Sequence, residues 1–245
     1  MTVFNLLPLG LAVCFTLMLL FRLPSLRKGK GQNWLWLAHL GMATVLYLAV
    51  EPVYIWIDSL LGGRNIANLI SHIFIALVFY GGCSQIALSI AREDVRQTIQ
   101  KVSVVTLPAC ILAMSLIHFL SDLPYSSMGL NPFRDSSLVL IGKLAMYVYP
   151  SIISSLLVQP LLRAAAQTYD KWQYRSKRLL GAGFFLVMLS PLGHIAELAY
   201  RGFGWLTDIL IYPAILLVLL GLSINFLAKR CSRSPRSQYT DSTNL

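Results

Sequence analysis

Apolar residues run along this chain in seven long stretches, at about 3–21, 34–57, 66–90, 102–120, 137–162, 179–199 and 205–228. A hydrocarbon core ~30 Å thick is crossed by ~20 apolar residues rising 1.5 Å each, so every stretch predicts a transmembrane helix. Lipid offers no water to backbone N–H and C=O groups, and only helices or closed barrels satisfy them internally. The predicted fold class is therefore all-α, a polytopic bundle of about seven spans filling residues 1–230. A short basic tail at 231–245, rich in Ser and Arg, is expected to be disordered and cytoplasmic. The segments between the spans are short, so any chemistry is expected among the helices or in the loops.

The charges fix a predicted orientation. Numbering the loops alternately, sixteen Lys and Arg fall on one side: Arg22, Arg27, Lys28 and Lys30; Arg92, Arg96 and Lys101; Arg163, Lys171, Arg175, Lys177 and Arg178; and Lys229, Arg230, Arg233 and Arg236. Arg64, Arg134 and Arg201 fall on the other, and Lys143 lies within a span. Under the positive-inside rule this puts the N-terminus outside and the C-terminus inside. The net charge of +10 thus reads as a topology signal facing anionic lipid, and no nucleic-acid partner is expected. No basic residue precedes the first apolar run and four follow it, which fits a stop-transfer anchor better than a cleaved signal peptide. Cys14, Cys83, Cys110 and Cys231 contain no C-x-x-C pair, and none falls on the predicted outer side. Neither an extracellular disulfide nor a thiolate metal site is expected.

Against this apolar background the polar residues stand out, because ionisable groups in hydrocarbon are costly and usually face the bundle interior. The second span carries Glu51 and Asp58, with Tyr47 and Tyr54 near the same face; the third, Asn68 and His72. The fifth carries Lys143 and Tyr147; the sixth, Ser190, His194 and Glu197 on one stripe; the seventh, Asp208 and Tyr212. In the predicted orientation all lie in the outer half of the membrane. They predict one outward-facing cavity, with Glu51, Asp58, His72, Lys143, Glu197 and Asp208 as candidate ligand or proton-binding residues. With neutral histidines its formal charge would be −3, which favours cations or protons over anions.

Other arrangements of the same residues stay open. Asp58, Glu197 and Asp208 could pair with Arg64 or Arg201 at the interface, and Glu51 with Lys143 as a structural ion pair. His39 and His118 read as interfacial histidines. Pro52, Pro150, Pro191 and Pro213 interrupt spans, which membrane helices tolerate where neighbours or cavities satisfy the freed carbonyls. His194 and Glu197, three apart, share a helical face and with His72 could form a weak zinc-like set, although no H-E-x-x-H is present. No cofactor is expected. A retinal protein would need a lysine in the last span, and a rhodopsin-type receptor an Asn-Pro-x-x-Tyr motif there; neither is present.

The stretch Asp58-x-x-x-Gly62-x-x-Asn65-Ile66-Ala67-x-Leu69-x-x-His72 resembles one in a family of uncharacterised actinobacterial multi-pass membrane proteins usually labelled transporters. The basic Arg175–Arg178 approach to the sixth span, Tyr200 after it and Gly221 late in the seventh are similar too. Two departures are visible: Arg64 stands where a proline would be expected, and family members extend into a cytoplasmic domain. The resemblance implies a bacterial plasma-membrane protein and a transport function. The leading expectation is a non-enzymatic membrane protein with an outward acidic cavity, serving cation- or proton-linked transport. The rivals are a sensor or assembly subunit with a membrane-protein partner, and an intramembrane metal hydrolase using His72, His194 and Glu197.

Overall fold

The computed structural model describes residues 3–26, 33–133 and 135–232. Residues 1, 2, 27–32, 134 and 233–245 lie outside the described residues, and with them most of the tail expected to be disordered. The described residues form eight α-helices and no strand: α1 (Val3–Leu26), α2 (Asn33–Leu48), α3 (Glu51–Leu60), α4 (Ile66–Ser89), α5 (Glu93–Leu120), α6 (Ser137–Ala166), α7 (Lys171–Ala199) and α8 (Gly204–Ser232). Five, α4 to α8, are long and apolar enough to cross a membrane, and α2 with α3 would make a sixth if the bent pair were one span. The predicted all-α class is therefore found; the second predicted span is instead broken into α2 and α3.

The second apolar stretch is two helices, bent by 98° at residues 49–50. In one continuous helix the nitrogen of Pro52 would have to bond the Leu48 carbonyl, but proline has no N–H and its ring clashes with that turn. Breaking the chain at Val50, which is extended (φ −96°, ψ 110°), moves Pro52 into the first turn of α3. There its missing N–H leaves nothing unbonded. Helix α3 ends in a Schellman motif: Gly63 N–H reaches the Asp58 carbonyl at 2.8 Å and Gly62 N–H that of Ser59 at 3.2 Å. Gly62 (φ 101°) and Gly63 (φ 69°) occupy left-handed backbone that closes it.

Helix α6 is the central post. It packs against α4, α5 and α7, and its stripe of Tyr149, Ile153, Leu157 and Leu161, spaced by four, is fully buried. That stripe meets Ala76, Cys83 and Ala87 of α4, Ile99 of α5 and Leu180 and Phe184 of α7. On one flank α4 carries α2, which carries α1; on the other α7 carries α8. Helices α7 and α8 approach closely because small residues lie between them: a Cβ on Gly183 would stand 2.7 Å from Val218 Cγ2 and 3.0 Å from the Ala214 carbonyl. The outward faces are apolar, with Val104, Leu112 and Phe119 on α5 and Ile209, Ile215 and Leu216 on α8 all exposed. Water-facing surfaces rarely carry such a belt; hydrocarbon is its natural neighbour.

Candidate functional site

The chain alternates direction, so the start of α4, the end of α5, the start of α6, the end of α7 and the start of α8 share one end of the bundle with α3. A segment between α5 and α6, including a short 3-10 turn at Met128–Phe133, packs there against α3 and α4. At this end a cavity of about 250 Å³ lies among α4, α6, α7 and α8.

Its walls carry four of the six candidates: His72, Lys143, Glu197 and Asp208. His194 and Tyr147 line it as well, and Gly129 and Leu130 of the 3-10 turn close one side. Counting along each helix, His72, Lys143 and His194 sit ~7–9 Å from the helix ends at 1.5 Å per residue, and Glu197 and Asp208 closer to them. The stripe predicted on the sixth span is buried as a unit, with Ser190, His194 and Glu197 all at most 5% exposed. Asp208 and Tyr212, one turn apart on α8, are exposed and form the mouth.

Within the cavity the imidazoles are oriented. His72 Nδ1 lies 2.7 Å from the Asn68 carbonyl one turn back. A carbonyl only accepts, so Nδ1 carries the hydrogen and a neutral His72 keeps its lone pair on Nε2. The His194 ring stacks on Tyr147 at 4.5 Å with a 32° tilt, and its Nδ1 stands 3.6 Å from Glu197 Oε2. That is too long for a neutral hydrogen bond and short enough for an attraction once the imidazole is protonated. Two carboxylates, one ammonium and two imidazoles thus share a small volume, with a formal charge of −1 when the imidazoles are neutral.

Two candidates lie elsewhere, which corrects the expected charge of −3. Glu51 is exposed at the first residue of α3 and outside the cavity lining; the break before Pro52 turns it away from the bundle, and the pairing considered with Lys143 is not made. Asp58 is fully buried, and its role is local. Its carboxylate accepts the backbone N–H groups of Asn65 and Ala67, each at 2.9 Å, and the hydroxyl of Ser126. It caps α4 in place of Asn65, whose own side chain is used elsewhere. Asn65 Oδ1 accepts from the Tyr54 hydroxyl at 2.9 Å and the Ser127 N–H, while Nδ2 donates to the Tyr125 carbonyl at 2.7 Å. Arg64 is not a partner of Asp58. His118, in the last turn of α5, is also buried, with Nε2 donating to the Arg64 carbonyl at 3.0 Å. Among the described residues no three His, Cys, Asp or Glu side chains come together closely enough to hold a metal. His72 therefore does not complete a set with His194 and Glu197.

Thr207 was not foreseen. It is 6% exposed, lines the cavity beside Gly193, and its Oγ1 has no hydrogen-bond partner. A lone threonine in an apolar run carries no sequence signal. Gly129 and Leu130 were equally silent, because a loop's path over a bundle is not periodic.

Comparison with known proteins finds no family model, curated protein or solved structure that matches this chain. The site is argued from its own geometry.

Proposed function

We propose that the chain is an integral membrane protein of seven spans, counting α1 and the α2–α3 pair. Its N-terminus is outside, its basic loops face the cytoplasm of a bacterial cell, and its outward cavity binds a small solute as a cation- or proton-linked transporter or as part of one. The observation that carries this reading is the convergence of His72, Lys143, His194, Glu197 and Asp208, from four helices, on one cavity. Burying a carboxylate and an imidazole in apolar surroundings is costly. A mixed site with a protonatable imidazole 3.6 Å from a carboxylate can exchange a proton against a bound cation. The sixteen-to-three bias of basic residues supports the orientation.

The test is charge displacement on a solid-supported membrane carrying proteoliposomes of the full chain. Steps of pH or of Na⁺ on the cavity side should give a transient that Glu197→Gln reduces at least tenfold. If no step gives a transient, transport is abandoned and the sensor or assembly-subunit reading takes its place.

A further inference from the structure

We infer that α3 is an interfacial helix, lying in the membrane plane at the cavity end of the bundle with Trp56 and Leu60 seated among lipid headgroups and upper acyl chains. The inference rests on the spanning arrangement proposed above and not on what the cavity binds. Direction and depth come first. Helix α2 has sixteen residues and rises ~24 Å at 1.5 Å per residue. A chain entering from the basic loop before it therefore arrives near the far side of a ~30 Å hydrocarbon core. There it turns by 98°. A helix at right angles to a span runs along the bilayer surface and not through it.

The sides of α3 match what surrounds a helix in that position. At about 100° per residue, Tyr54 and Asp58 fall on one side and are buried against the bundle. Pro52, Trp56 and Leu60, spaced by four, fall on the opposite side and are exposed, Trp56 by 63% and Leu60 by 69%. Glu51, Ile55 and Ser59 form an exposed, mixed stripe along one flank, which suits water and headgroups. Along the other flank Val53 and Ile57 are apolar and half-buried, which suits the membrane interior beneath. Helices of this kind bind by laying an apolar face into the boundary between headgroups and chains. An indole, apolar with one N–H donor, is a side chain enriched at that depth.

This seat bears on the cavity. Asp58 of α3 accepts from Ser126 and from the Asn65 N–H. The Asn65 side chain in turn holds the Tyr125 carbonyl at 2.7 Å and the Ser127 N–H at 2.6 Å. Those residues lead directly into Gly129 and Leu130, which close one side of the cavity. The loop that walls the cavity is thus bonded to a helix seated in lipid.

Depth is read from nitroxides on single cysteines in the full chain, with its native cysteines replaced, in liposomes of phosphatidylethanolamine and phosphatidylglycerol. Collisions with oxygen, which concentrates in lipid, are compared with collisions with a water-soluble nickel chelate. Labels at Trp56→Cys and Leu60→Cys should show an oxygen-to-chelate ratio severalfold above those at Glu51→Cys and Ser59→Cys. Leu216→Cys, twelve residues into α8 and so ~18 Å along it, marks the membrane interior and should give the highest ratio. If 56 and 60 are as open to the chelate as 59 while 216 lies in lipid, α3 stands in water and the inference fails. If 56 and 60 match 216, α3 dips into the core as a re-entrant helix and the inference fails as well. A label at 216 that meets the chelate freely overturns the spanning arrangement itself. Should the cysteine-free chain not fold, native Trp56 decides: lipids brominated high on the acyl chain should quench it, as the difference between the wild type and Trp56→Phe. Absence of that difference sinks the inference.

Discussion

Asp58 Oδ1 accepts the backbone N–H of Ala67 at 2.9 Å, nine residues along the chain. Through this bond and its partner to Asn65 a residue of α3 caps the helix that follows it, and Ser126 joins the loop between α5 and α6 to the same carboxylate. Removing the carboxylate would strand two buried N–H donors, each costing about 1–3 kcal/mol. Asp58→Ala should destabilise the purified protein by about 3 kcal/mol, and Asp58→Asn, which keeps one acceptor oxygen, by about 1–2 kcal/mol. Unfolding in detergent measures both; equal effects from the two variants would remove the capping role.

Glu51 should be silent. It is exposed, and substitutions at such positions usually fall within about ±0.5 kcal/mol. Glu51→Gln and Lys143→Met should therefore add without coupling in a double-mutant cycle. An interaction energy above about 1 kcal/mol would put Glu51 back beside Lys143.

Gly193 sets the distance between the two helices that carry Glu197 and Asp208. A Cβ there would stand 2.7 Å from Thr207 Oγ1 and 2.9 Å from the Thr207 nitrogen. The backbone atom has nowhere to move without displacing α8. Gly193→Ala should cost about 1–3 kcal/mol and reduce solute binding. Gly10→Ala, where nothing lies within 4 Å of the added Cβ, should do neither.

Orientation is tested by thiol labelling. With the N-terminus outside, an impermeant maleimide on intact cells should reach Met128→Cys, in the 3-10 turn and 43% exposed, and leave native Cys231 unlabelled until the membrane is opened. The reverse pattern would invert the topology.

The helices were legible because hydrocarbon thickness and backbone satisfaction leave a chain this apolar little choice. The third apolar stretch, expected at 66–90, is a helix over Ile66–Ser89. Errors came where apolarity stops being informative. Helix α5 starts at Glu93 and not at 102, because its first turns are amphipathic, with Val95 and Ile99 buried and Glu93 and Asp94 exposed in the first turn. Helix α7 starts at Lys171, capped by Asp170 Oδ1 on the N–H groups of Trp172 and Gln173 at 2.8 Å; this N-cap was present in the sequence. The bend at α2–α3 escaped notice because the outward residues of α3, Ile55, Trp56 and Leu60, are as apolar as a span. Four site residues were legible from their cost in lipid. Charge alone could not separate them from Asp58, whose partners are backbone groups and a serine.

Whether the polar cavity opens to the outside is read at Tyr212, at its mouth. In a chain with its four cysteines replaced, Tyr212→Cys is exposed to a charged, membrane-impermeant thiol reagent added to intact cells. Leu216→Cys, one turn further along α8 on its exposed apolar face, serves as the control. A thiol in hydrocarbon does not ionise and does not meet a charged reagent, whereas one in a water-filled mouth does both. Labelling is expected at 212 from outside and not at 216. Labelling at neither position, or at 212 only from the cytoplasmic side of inverted vesicles, would contradict it.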